Sequence, residues 1–125
     1  MTGARILLVE DNEVNRDMLV RRLERAGYEL IVAGDGEKAL KLMRESHPGV
    51  VLMDMNLPIK DGWTACREAC ADQTIRHIPI IALTAHAMEQ DKRDALAAGC
   101  SDYATKPVDF PDLLKKIAAQ LEAHG

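Results

Sequence analysis

The chain is short of aromatic side chains, which make up 3% of its 125 residues, and it has no surplus of positive charge, no long apolar run and only three cysteines. Each shortage excludes something. With one Trp, two Tyr and one Phe, the core has to be aliphatic. A net charge of −4 leaves no basic face to neutralise phosphates, which argues against direct contact with nucleic acid. No apolar stretch approaches membrane-spanning length, and the first residues lack the basic-then-apolar pattern of a secretory signal. The expectation is a cytoplasmic protein with no membrane partner. Cys66, Cys70 and Cys100 are odd in number, and no histidine or second cysteine pair completes a zinc set around Cys66 and Cys70, so they read as reduced core thiols.

What is present suits a folded domain. The length fits one domain over residues 1–125, large enough to bury roughly two-thirds of the surface of its unfolded chain. The most telling stretch is Val50-Val51-Leu52-Met53-Asp54. Four consecutive apolar residues read as a strand buried on both faces, since a strand with one wet face would alternate. Asp54 is delivered to its end, and Pro58 breaks the run soon after.

Taken in order, Arg5 to Val9 is a short buried strand, after which Asp11 or Asn12 caps a helix to about Ala26 with Val14, Met18, Leu19, Leu23 and Ala26 on its apolar side. Gly27 stops that helix. Glu29 to Ala33 makes a second strand, and Asp35 caps a helix carrying Ala39, Leu40 and Met43 that ends at His47-Pro48-Gly49. After the Asp54 strand, Trp63, Cys66, Ala69 and Cys70 fall at helical spacing to about Ala71. Pro79 to Thr84 is a fourth strand, followed by a charged helix from about Met88 to Ala98 whose narrow apolar side predicts a weak hold. Asp102 to Thr105 is a last short strand. Asp109 then caps a closing helix with Phe110, Leu113, Leu114, Ile117, Ala118 and Leu121 as its stripe.

Five strand-helix pairs with short connections specify an α/β fold, a parallel sheet covered on both faces through right-handed crossovers. In such a sheet every carboxyl end points the same way. Glu10 and Asp11 after the first strand, Asp54 at the third, Thr84 at the fourth and Lys106 after the fifth therefore share one rim, where open α/β sheets place their chemistry.

These motifs, Val9-Glu10-Asp11-Asn12, Met53-Asp54-Met55-Asn56-Leu57-Pro58 with Asp61-Gly62, Leu83-Thr84-Ala85 and Thr105-Lys106-Pro107, resemble the CheY-like receiver domain of response regulators in two-component and phosphorelay signalling. The resemblance covers essentially the whole chain. It implies a flavodoxin-like (βα)5 doubly wound sheet in strand order 2-1-3-4-5. It also implies that Asp54 is the phosphoacceptor, that Asp11, Asp54 and the backbone carbonyl of Asn56 hold Mg²⁺ with Glu10 helping through water, and that Thr84 and Lys106 hold the phosphoryl group. Tyr103 matches the switching aromatic and Ala85 the small residue beside the threonine. Asn56 and His86 stand at positions that tune phosphoryl lifetime, and the Lys106-Pro107 bond is implied to be cis.

The chemistry explains the grouping. A carboxylate attacking phosphorus brings two anions together, so counter-charge is needed. Mg²⁺ on oxygen ligands supplies part of it, Lys106 another part, and the Thr84 hydroxyl donates to a phosphoryl oxygen. The implied protein is a signalling switch and not a turnover enzyme. Its donor is a sensor histidine kinase or a histidine phosphotransfer protein, and its output is a downstream protein partner met by the fourth helix, last strand and last helix. Two rivals are less well matched. A haloacid-dehalogenase-type phosphatase needs a second acid where Asn56 stands, and a flavodoxin-like cofactor binder needs a phosphate-cradling loop where Glu10-Asp11-Asn12 stands. His47, His77 and His124 read as loop or terminal residues, and Trp63 as packing.

Overall fold

The computed structural model describes residues 4–55, 57, 60–84 and 89–124, the side chains of 89–92 and 124 excepted. Strands and helices alternate: β1 (Arg5–Val9), α1 (Glu13–Arg25), β2 (Glu29–Ala33), α2 (Gly36–Ser46), β3 (Val50–Asp54), α3 (Gly62–Ala71), β4 (Ile80–Thr84), α4 (Glu89–Ala97), β5 (Asp102–Thr105) and α5 (Phe110–His124). The strands form one parallel sheet in the order β2-β1-β3-β4-β5, the doubly wound order that the resemblance implied. β3 is central and all five of its residues are buried. β4 starts one residue after Pro79, because proline has no N–H to donate to the ladder, yet the Pro79 carbonyl still accepts from the Val51 amide at 2.9 Å.

The pleat divides the core in two. Leu7, Val9, Val51 and Met53 point to the face covered by Ala39, Leu40, Met43, Cys66 and Ala95 of α2, α3 and α4. Ile6, Leu8, Leu52 and Leu83 point to the other face, under Leu19 and Leu23 of α1 and Leu113 and Ile117 of α5. Side chains that alternate between two covered faces explain why β1 and β3 read as unbroken apolar runs.

Helix starts follow local chemistry. The amides of Asn15, Lys38, Thr64 and Asp112 donate to the side chains of Asn12, Asp35, Asp61 and Asp109 at 3.1, 2.8, 2.8 and 3.2 Å, each satisfying an amide left unpaired by the first turn. Asn12, not Asp11, is therefore the cap of α1, which leaves the Asp11 carboxylate for other work. Gly27, at φ 99°, takes the left-handed turn after α1, and His47, at φ 45°, closes α2 in the same region. The Lys106-Pro107 bond is cis.

Two apolar stripes are narrower than their sequences suggest. In α1, Leu19 and Leu23 are buried, but Val14 is 78% and Met18 46% exposed, and Ala26 faces water. At 100° per residue, Val14 lies about 140° around the helix from Leu19 and about 180° from Leu23, on the side away from the sheet. In α5, Ala118 is exposed while Leu113 and Ile117 are buried. On α4 the buried described side chain is Ala95, with Ala98 just beyond its end. Methyl groups bury little area, so they grip the sheet less than the leucines of α5 do. Met88, where the sequence suggested that this helix begins, lies outside the described residues.

The cysteines are free thiols. Cys66 and Cys100 are buried with their sulfurs 3.0 Å apart, and this contact followed by burial pushes the Cys66 thiol up. His47 and His77 are exposed and stack at the opposite end of the sheet from Asp54, with ring centroids 6.1 Å apart.

Candidate functional site

The carboxyl ends of β1, β3, β4 and β5 bring the rim residues together. Glu10 follows β1 at 1% exposure, and Asp54 and Thr84 end β3 and β4 at 3% each. Three polar groups this deeply enclosed need partners. The Lys106 ammonium donates to Asp54 Oδ2 at 2.9 Å and to Glu10 Oε2 at 3.3 Å, while the Lys106 amide donates to the Thr84 carbonyl at 2.7 Å. The lysine is thus fixed to β4 by its backbone and to β1 and β3 by its side chain.

Asp11 is exposed at the mouth. One carboxylate oxygen from each of Glu10, Asp11 and Asp54 lies within 4.8 Å of the others. The group offers oxygen alone, with no thiolate or imidazole, which is the donor set of a hard cation. Electrostatics point the same way: burial above all, and then the neighbouring Asp54, hold the Glu10 carboxyl above its usual range, and Lys106 only partly relieves this. For Lys106, burial acts against the charge, but the hydrogen bonds and charges of Asp54 and Glu10 outweigh it and hold the ammonium above its usual value.

The turn after Asp54 is shaped by its backbone. The Met55 amide donates to the Leu83 carbonyl at 3.1 Å, and the Gly62 amide to the Met55 carbonyl at 3.3 Å. A side chain at Gly62 would collide with the Asp54 carbonyl and with Met55, which accounts for glycine in the Asp61-Gly62 pair. Arg16, which the sequence did not single out, reaches back past the start of α1 to the Glu10 carbonyl, six residues earlier, at 3.4 Å. Tyr103 sits on β5 opposite Ala82 and packs, half-buried, on the α2–α4 side of the sheet. Asn56, Ala85 and His86 lie outside the described residues.

Residues 6–118 match the family model of the response regulator receiver domain. The chain belongs to this family. Receiver relatives include the polar-differentiation response regulator DivK of Brucella ovis, 39% identical over 116 residues that cover 93% of this chain and 94% of that protein. The receiver domain of a sensor histidine kinase from Pseudomonas aeruginosa, solved with a magnesium ion coordinated in its active-site cleft, is 37% identical, covers 97% and 99% of the two chains and has a TM-score of 0.89. The receiver domain of the Saccharomyces cerevisiae response regulator Ssk1, crystallised with the histidine phosphotransfer protein Ypd1, is 32% identical over 94% of this chain and 88% of that one, with a TM-score of 0.85. This chain is accordingly a receiver of two-component or phosphorelay signalling, a switch in its general character. Among the described residues, no helix of the receiver is long and apolar enough to cross a membrane.

Proposed function

We propose that Asp54 accepts a phosphoryl group from a phosphohistidine on a sensor histidine kinase or histidine phosphotransfer protein, with residues 1–125 acting as one cytoplasmic receiver unit. The observation that supports this reading is the Lys106–Asp54 ion pair of 2.9 Å beside a second buried acid, because a carboxylate that is to attack phosphorus needs a counter-charge at hand. An oxygen of Asp54 attacks phosphorus, the bond from phosphorus to the imidazole nitrogen breaks, and the leaving imidazole keeps the electron pair. Lys106 then turns its charge from the carboxylate to the new phosphoryl oxygens, and Thr84 donates its hydroxyl to one of them.

Glu10, Asp11, Asp54 and the Asn56 carbonyl are the groups that would hold Mg²⁺. Bound there, Mg²⁺ supplies positive charge and a hard centre for a phosphoryl oxygen. Asn56 and His86 then govern how long the acyl phosphate survives, by orienting or blocking the hydrolytic water. Thr84 drawn toward the phosphoryl group vacates space that Tyr103 turns to fill, which changes the α4-β5-α5 surface offered to a downstream protein.

A cleft of about 400 Å³ runs from Glu10 and Lys106 past Asn15 to Met18, Leu19 and Val108. Beside it, exposed Val14 and Met18 on α1 form an apolar shoulder that suits a protein donor presenting its phosphohistidine at Asp54.

The test is labelling from acetyl phosphate with Mg²⁺, read as intact mass and as acid-stable, base-labile phosphate. The wild type should take up one phosphoryl group and Asp54→Asn none, with its fold intact by circular dichroism. Wild-type labelling of Asp54→Asn at another residue would overturn the assignment.

A further inference from the structure

Among the described residues, β5 is the last strand of the sheet, so one side of its backbone has no neighbouring strand. The Lys106 amide points inward to the Thr84 carbonyl, and peptide groups along a strand alternate between its two sides. The N–H and C=O of Tyr103, three residues earlier, therefore face the open edge. Side chains satisfy both. The Tyr103 amide donates to Asp102 Oδ1 at 2.8 Å, and its carbonyl accepts from Lys116 Nζ at 2.6 Å. The same ammonium lies 5.0 Å from the centre of the Tyr103 ring and 3.2 Å from the Asp112 carboxylate.

Lys116 belongs to α5, on the opposite face of the sheet from the ring, so it wraps the edge to hold Tyr103 by both backbone and ring. A cation against a ring face resists any movement that takes the ring away. We infer that Lys116 is a positioning residue of the switch: it holds Tyr103 at the edge of the sheet, and its ring contact has to break when the tyrosine turns inward. This rests on the reading of Tyr103 as the switching aromatic. It adds to that reading the group that opposes the turn, and it makes α5 the element that sets the resting bias.

Only Tyr28 and Tyr103 are tyrosines, so incorporating fluorotyrosine gives two fluorine NMR signals, and a Tyr28→Phe variant assigns them. Beryllofluoride with Mg²⁺ serves as the phosphoryl mimic. Lys116→Met keeps an unbranched apolar stem of nearly the same length and removes the ammonium. Without ligand, its Tyr103 signal should move part of the way toward the wild-type beryllofluoride-bound position. Its affinity for beryllofluoride should rise about 3- to 10-fold, the scale of one cation–π contact. Lys116→Arg should restore both values toward wild type, and the Tyr28 signal should stay still throughout.

Wild-type signal and affinity in Lys116→Met would overturn the inference. So would a Tyr103 shift away from the bound position with unchanged affinity, which marks a local contact alone. The parent readings fail differently: a wild-type Tyr103 signal that ignores bound beryllofluoride removes the switching role of Tyr103 and this inference with it, and a wild type that binds no beryllofluoride removes the phosphoryl site itself.

Discussion

Lys106 and Asp54 stand 52 residues apart in the chain, and their charged ends meet at 2.9 Å in the resting receiver. Lys106 also serves Glu10, so one ammonium is shared between two buried acids. Lys106→Ala should leave those carboxylates without their shared ammonium, and the expected loss is about 1–3 kcal/mol, the scale of removing a charged hydrogen-bond partner from a buried group. The partial exposure of the lysine favours the lower end of that range. Saturating Mg²⁺ should return part of the loss, since it brings counter-charge to the same oxygens. Urea unfolding with and without Mg²⁺ measures both quantities. A loss of equal size in the two conditions would mean that the lysine and the metal act on different groups.

Asp11 offers a cleaner separation of stability from metal binding. It is exposed and caps no helix, so Asp11→Ala should melt close to wild type in a chelator. Mg²⁺ at 100 times its dissociation constant should stabilise the wild type by about 2.7 kcal/mol, visible as a melting point several degrees higher. Asp11→Ala should lose most of that gain. An equal gain in the two proteins would remove Asp11 from the metal site.

Much of this architecture is legible in the residues. Val50 to Met53 are apolar without alternation because both sides of β3 are covered, and the same burial fixes where Asp54 must emerge. The convergence of Glu10, Asp54, Thr84 and Lys106 follows once the strands are parallel. Strand order does not follow, because right-handed crossovers permit several orders, and here it came from family resemblance. Residue type also misled the reading of α1. Val14 and Met18 fit the composition of a core stripe, but the curved surface of a helix touches the sheet along a narrow line through Leu19 and Leu23. Lys116 was invisible for another reason. Its Asp112 partner four residues earlier reads as an ordinary surface pair on a helix, and nothing local reveals that the ammonium also reaches an edge strand 13 residues back.

Asp72 predicts the acid limb of stability. It is the C-cap residue of α3, and its carboxylate accepts from the Thr74 hydroxyl at 2.6 Å and from Arg44 Nε of α2 at 2.8 Å. These bonds, Thr74 first, hold its pKa at about 2, against an ordinary 3.8. The folded state therefore binds this proton less readily than the unfolded chain. The stabilisation is complete above about pH 4 and is lost as pH falls toward 2. Asp72→Asn should flatten the fall in unfolding free energy across that window and leave its slope near pH 7 unchanged. Parallel curves for the two proteins between pH 4 and 2 would remove Asp72 from the acid response.

Two glycines at the start of α2 give opposite predictions two residues apart. The Gly36 amide donates to the Lys60 carbonyl at 3.1 Å, and a side chain at Gly36 would collide with that same carbonyl, whereas one at Gly34 would meet nothing within 4 Å. Neither residue is at positive φ, so the backbone accepts alanine at both and space alone decides. Gly34→Ala should be neutral or stabilising by up to about 1 kcal/mol, because it narrows the unfolded ensemble. Gly36→Ala should cost about 1–3 kcal/mol, the usual penalty of forcing a methyl into filled space. The displaced carbonyl belongs to Lys60, whose ammonium pairs with Glu68 of α3 at 2.5 Å. Trp63, the only tryptophan, stands in the first turn of α3, three residues after Lys60, and packs half-buried against the core cluster on that side of the sheet. Its fluorescence should therefore shift in Gly36→Ala and remain that of wild type in Gly34→Ala. Denaturant unfolding of both variants, with tryptophan emission as the second readout, tests the pair, and equal stabilities would mean that the β3–α3 connection yields to the added methyl without cost.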